Sequence, residues 1–260
     1  MEKLLIGQDT FLTAYVLTLA ALLGAVFGSF INCMAYRLAH GQSVMKGRSR
    51  CTSCGHELGA ADLVPVFSYI FLRGKCRYCG EKLSPRYFIT EIMLAAAFLI
   101  IVYKFDVSLV ALEYLVLVCL LLGASLVDLE IYEIPDRFII CGIAGWLIFL
   151  PFTGWQWKSG LLGAFIIGGG MLLLSSVFDK ITGKESLGGG DIKLFFMTGL
   201  YLGPAVGLFN LILSCIAGIF FVVVMKQKRI PFGPAISLAV FVSLIIGTEA
   251  VDWYLGLFYL

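Results

Sequence analysis

The sequence predicts an all-α polytopic membrane protein, with about eight transmembrane helices and a small cytoplasmic zinc-ribbon-like domain between the first and second. Three observations carry this expectation. Of 260 residues, 60% are hydrophobic and only 14% charged, with a mean hydropathy of +0.96; a water-soluble globule has a charged share nearer a quarter. Apolar stretches recur near the roughly 20-residue length that carries a helix across about 30 Å of hydrocarbon. The one substantial polar interruption, residues 37–87, contains two CxxC pairs.

Taken in order, apolar spans run near 11–36, 88–103, 107–127, 138–152, 161–178, 192–203, 205–225 and 235–258. The first lacks a basic start and a small-residue cleavage site followed by soluble sequence, so it reads as a permanent helix and not a cleaved signal. The spans at 138–152 and 192–203 are short, and need flanking residues or a recessed position beside water.

Lys and Arg orient the spans. The net charge of +2 says little, because placement outweighs the sum. Residues 37–87 hold Arg37, Lys46, Arg48, Arg50, Arg73, Lys75, Arg77, Lys82 and Arg86, which puts this loop in the cytoplasm. Alternation then places Arg137, Lys180, Lys184, Lys193, Lys226, Lys228 and Arg229 inside and leaves Lys3, Lys104 and Lys158 outside, with both termini outside. A multi-pass membrane protein, embedded in the lipid bilayer and without a nucleic-acid partner, is expected.

The cytoplasmic loop carries CTSC (51–54) and CRYC (76–79), separated by 21 residues. Cys51, Cys54, Cys76 and Cys79 offer four thiolates at the spacing of a tetrahedral zinc ribbon, slightly longer than the usual gap. A redox pair or plain thiols are the competing readings. The cytoplasmic address disfavours disulfides, and a segment this small gains folding energy from metal. Four cysteines leave no open coordination position, so the zinc is expected to be structural. Cys33, Cys119, Cys141 and Cys215 read as small hydrophobic residues, and His40 and His56 as loop residues. The chain thus divides into a first helix (1–36), a four-cysteine zinc-binding domain (37–87) and the remaining spans (88–260).

Acidic groups near apolar spans are functional candidates by default, because an ionised carboxylate in a bilayer is expensive. Asp128 closes the third span, roughly 31 Å along the helix from Val107, and Asp191 opens the sixth in GGGD (188–191). Both fall at one cytoplasmic depth. Glu113 lies near the opposite face and reads as a packing or snorkelling residue. Glu91 is a weaker candidate, and Glu130, Glu133 and Asp136 read as solvated acids that could attract basic charge. For Asp191 a plain helix N-cap competes with a catalytic role. Two adjacent carboxylates share a proton, so one activates water while the other polarises a scissile carbonyl, as in aspartic proteases. A transporter with paired acids and a zinc-regulatory domain is the reading from another class, though these acids lie at one edge of the bilayer.

The combination resembles the type IV prepilin peptidases, of the GxGD class of intramembrane aspartyl proteases. GSFINCMAYRL (28–38), the knuckles with SYIFLRGKCRYCGEKLSPRYFITE (68–91), SLVDLEIYEIPD (125–136), GGGDIKL (188–194) and IPFGPAISLA (230–239) stand in the family's order. The resemblance implies that Asp128 and Asp191 are the catalytic pair. It also implies cleavage of the basic leader of a prepilin or pseudopilin, after a glycine, at the cytoplasmic face. Many members also methylate the new N-terminal residue with S-adenosylmethionine, an activity associated with the cysteine domain. Gly74 matches a family glycine linked to methylation, while Asn32 and Glu91 fall in family motifs without an assigned role. No G-x-G-x-x-G run gives independent sign of a methyl-donor site, so a peptidase without methyl transfer is the alternative within the family. CTSC lacks the proline often found in the first knuckle, and Ala39 stands where proline usually ends the opening motif. The PFGP turn (231–234) is either a rigid cytoplasmic turn or merely the start of the last span.

Overall fold

The computed structural model describes residues 6–7, 9–44, 47–154, 156–183, 187–225 and 231–257. The expected charges at Lys3, Lys46, Lys184, Lys226, Lys228 and Arg229, and motif residue Ile230, lie outside these. Among the described residues the chain is helical, with no strand and only two isolated β-bridges. It forms two compact units, Met1–Ala111 and Leu112–Leu260.

In the first unit, α1 (Thr10–Ala39) packs along α3 (Pro85–Phe105). Association in lipid depends on close backbone approach and interhelical hydrogen bonds. Both are present: a Cβ at Gly24 would stand 2.6 Å from Leu94 O, and one at Gly28 would stand 2.9 Å from Glu91 Cα. One turn on, buried Asn32 donates from Nδ2 to Thr90 Oγ1 at 2.7 Å. The segment between these helices, read from the sequence as a polar loop with two cysteine knuckles, also forms a short helix, α2 (Phe67–Phe71).

In the second unit, α4 (Leu109–Ile131) is followed by α5 (Asp136–Phe149), then by α6 (Trp157–Ala164), a π-helical turn (Phe165–Gly169) and α7 (Gly170–Thr182), which together form one span. α8 (Gly189–Met225) and α9 (Gly233–Gly256) complete the unit. α8 is broken at Gly203, where φ is 69° and ψ −176°, a conformation open to glycine alone at little cost, and Pro204 supplies no N–H to repair the ladder. The boundary expected between 203 and 205 therefore falls where the helix breaks. The half before it packs on α6 at backbone range, with a Cβ at Gly199 meeting Ala164 Cα at 2.8 Å, and Tyr201 Oη donating to Gly142 O on α5 at 2.6 Å.

Among the described residues, six helices are long and apolar enough to cross a membrane; dividing α8 and adding α5 gives eight apolar segments, in register with the eight spans of the sequence. α5 and the 189–202 half of α8 run only about 21 Å each. Large apolar side chains remain exposed on the outer faces, Leu173 at 70% and Val223 at 66%, as surface meant for lipid.

Candidate active site and metal centre

The two aspartates singled out by the sequence come together. Asp128 stands one turn from the end of α4 and is 4% exposed; Asp191 stands in the first turn of α8. Both line one cleft of about 240 Å³ with Tyr132, Glu133, Ile134, Asp136, Gly188, Gly189, Gly190 and Lys193. α8 begins at Gly189, so Asp191 is not the N-cap. Its carboxylate instead lies against Gly188, where a Cβ would approach Oδ2 to 3.0 Å.

Four local features hold the cleft. The N–H of Gly233 donates to Asp128 Oδ2 at 2.8 Å, and a Cβ at 233 would press on that oxygen at 2.7 Å. One turn earlier on α4, Ser125 Oγ bonds to Ser237 Oγ of α9 at 2.8 Å. The chain leaves α4 through Tyr132, whose φ of 58° is uncommon for a residue with a side chain. Ile134 then packs beside Gly190, within 3.1 Å of the Cβ position there. On the rim, Lys193 Nζ and Asp136 Oδ1 pair at 2.7 Å, both more than half exposed. Of the three acids expected as solvated groups, Glu133 lines the cleft, Asp136 is in this pair, and Glu130 lies outside the lining. Glu113, expected to pack, is 5% exposed.

The contribution of PFGP was not legible as chemistry: a glycine between Pro231 and Pro234 suggests a turn, while its N–H on Asp128 exists only once α9 meets α4. Tyr132 also escaped the sequence reading, since nothing in its type announces a positive φ.

In the first unit the four predicted cysteines converge, with all four Sγ atoms within 4.8 Å of one another and Cys51 Sγ 3.9 Å from Cys79 Sγ. A zinc with Zn–S bonds of about 2.3 Å needs tetrahedral edges of about 3.8 Å, so the donor set fits. The two knuckles repeat each other. In the first, Cys51 N bonds His56 O, Gly55 N bonds Cys51 O, and Leu58 N bonds Ser49 O. In the second, Cys76 N bonds Glu81 O, Gly80 N bonds Cys76 O, and Leu83 N bonds Gly74 O. Each is closed by one bridge, Arg50 with Glu57 and Lys75 with Lys82. The N–H groups of Cys54 and Ser53 bring the Cys51 thiol down to about 6 against its burial. The N–H of Glu81 favours the Cys79 thiolate, yet burial and the three neighbouring sulfurs push it up to about 12. Four sulfurs this close accept full charge only around a cation. His56 is no ligand and stacks on Tyr78, with ring centroids 3.6 Å apart. Gly74 joins α2 to the second knuckle: its N–H bonds Tyr69 O at 2.8 Å, and a Cβ would meet the Tyr69 ring at 2.9 Å.

Residues 22–105 match the profile of the bacterial peptidase A24 N-terminal domain, and residues 115–223 that of the type IV leader peptidase family. The chain is similar to a prepilin leader peptidase/N-methyltransferase of Pseudomonas putida, 32% identical, with 91% of this chain and 92% of that one covered. It is similar to the protein of that description in Bacillus subtilis (strain 168), 30% identical over 92% and 98% of the two chains, and in Neisseria gonorrhoeae, 29% identical over 94% and 96%. No solved structure matches.

Proposed function

Since the chain belongs to the type IV leader peptidase family, we propose that Asp128 and Asp191 are its catalytic dyad and cut the leader from a prepilin or pseudopilin. The observation that carries this reading is that both carboxylates line one cleft, with the Gly233 N–H on Asp128. An N–H donor suits a negatively charged carboxylate oxygen, so Asp128 is assigned as the base that takes a proton from the attacking water. Asp191 then holds the shared proton on the carbonyl oxygen and passes a proton to the departing amine. Water's oxygen bonds to the carbonyl carbon, the C–N bond breaks, and the amine leaves as the new N-terminus of the mature pilin.

Cleavage is assigned to the cytoplasmic face of the bacterial inner membrane, after the glycine that ends the leader, because the basic loops fall on that side. Glu133, on the cleft wall, faces the approach of a basic leader. The four-cysteine segment of 37–87, including Gly74, is assigned to methylation of the freed amine, and the spans of 88–260 to peptide cleavage. Zinc on Cys51, Cys54, Cys76 and Cys79 is the structural cross-link of that segment, and S-adenosylmethionine supplies the methyl group when bound.

The test is co-expression of a prepilin with the intact protein and with Asp128→Asn and Asp191→Asn, each verified in the membrane. Loss of leader cleavage in both variants is expected. Normal cleavage by either one removes the dyad.

A further inference from the structure

The first unit contains a cavity of about 600 Å³, well inside the roughly 300–1,000 Å³ of small-molecule sites. Its wall joins α1 through Tyr36, α2 through Ser68 and Tyr69, and α3 through Tyr87 and Glu91. The three tyrosines offer flat apolar surface suited to a purine.

Glu91 is the acid on this wall without a charged partner. It is 7% exposed, its Oε2 accepts the Val66 N–H at 2.7 Å, and it makes no other hydrogen bond or ion pair among the described residues. The other charged groups of the wall are committed: Arg37 to the carbonyls of Val44 and Gly47 at 3.2 and 3.0 Å, Arg48 and Arg50 to Glu57 at 3.4 and 2.7 Å, and Asp62 to Arg77 at 2.7 Å. A buried carboxylate at the start of an apolar span is expensive to keep unless it meets a cation.

Resting on the methyltransferase reading above, we propose that this cavity is the methyl-donor site, which takes an adenosyl sulfonium with Glu91 facing the positive sulfur. The purine lies against the tyrosines, and the sulfonium is held by charge at the one acid of the wall still open to it. The Val66 bond fixes the carboxylate in place, so recognition does not wait on a rotamer search.

The experiment measures equilibrium binding of labelled S-adenosylmethionine and of the uncharged S-adenosylhomocysteine to the full-length, zinc-loaded protein in nanodiscs. It compares the intact chain, Glu91→Gln, whose amide oxygen still accepts from Val66, and Ser68→Trp, which fills the cavity. Zinc content is the check on folding. Glu91→Gln is expected to weaken the sulfonium ligand about tenfold while sparing the neutral one, since one charge-assisted contact is lost; Ser68→Trp is expected to lose both. Equal affinities in all three proteins overturn the cavity assignment and leave methyl transfer standing. If the intact protein neither binds the donor nor methylates a mature pilin N-terminus, the assignment falls together with the reading beneath it.

Discussion

The backbone N–H of Gly233, at the start of α9, donates to Oδ2 of Asp128, on α4, at 2.8 Å. A residue 105 positions away in the chain thus sets the orientation of one cleft carboxylate. The bond also explains why the position between Pro231 and Pro234 is glycine: any Cβ there would press on the accepting oxygen. Gly233→Ala is expected to lower prepilin cleavage by about a hundredfold, the scale of a 1 Å misplacement, with the protein still accumulating in the membrane. An alanine variant that cuts at the normal rate would show that Asp128 does not depend on this donor.

Metal content is the second expectation. Elemental analysis of purified protein should find about one zinc per chain, and Cys51→Ser or Cys76→Ser should abolish it, because each removes a buried ligand of the four. Chelation of the intact protein should open the 55–75 connection to protease. Zinc retained in full by both serine variants would rule out the tetrahedral site.

The third expectation concerns acid. Burial raises the Asp62 carboxyl, but the N–H of Gly59, the hydroxyl of Tyr78 and the guanidinium of Arg77 outweigh it and hold the group below the ordinary carboxylate range. A depressed pKa contributes stability that is present above the unfolded value of about 3.9 and lost as pH falls through the folded value. Asp62→Asn should therefore be more protease-sensitive than the intact loop at pH 7, with the gap closing in the range below about pH 4. Because the four-cysteine cluster is common to both proteins, a gap that does not change with pH would mean that Asp62 contributes only shape.

The fourth concerns the α1–α3 contact. Gly28→Val should push the helices apart and cost about 1–3 kcal/mol, read as a lower melting temperature in detergent. Asn32→Leu, which removes the bond to Thr90, should cost about 1 kcal/mol. Unchanged melting in both would mean that this helix pair is held by something other than close approach and its buried hydrogen bond.

What the sequence revealed depended on how local the signal was. The cysteine knuckles were legible because each CxxC carries its own geometry in four residues, and Asp128 and Asp191 because an acid beside an apolar span is conspicuous. The division of α8 was legible too, since a Gly-Pro pair stops a helix wherever it falls. Asn32, by contrast, reads only as a polar residue in a span; its meaning comes from Thr90, 58 residues away. The N-cap alternative for Asp191 failed because α8 begins at Gly189, with Gly188 O accepting from the N–H groups of Asp191 and Ile192, which puts Asp191 inside the first turn. α2 was missed because five helical residues lie below the length at which periodicity shows.

The break at Gly203 makes two levers of α8. The half that bears Asp191 is fastened to α6, while the half beyond pairs with α9, whose first turn holds Asp128 through Gly233. Asp191 thus sits on the arm before the break, while Asp128, on α4, is linked to the arm beyond it through α9 and the Gly233 N–H. Asp191 lies roughly 18 Å of helix from the break, so a swing of about 5° carries it through an arc of about 1.6 Å. That exceeds the roughly 1 Å misplacement felt at a reacting centre, so the backbone geometry at residue 203 bears on the spacing of the two cleft carboxylates.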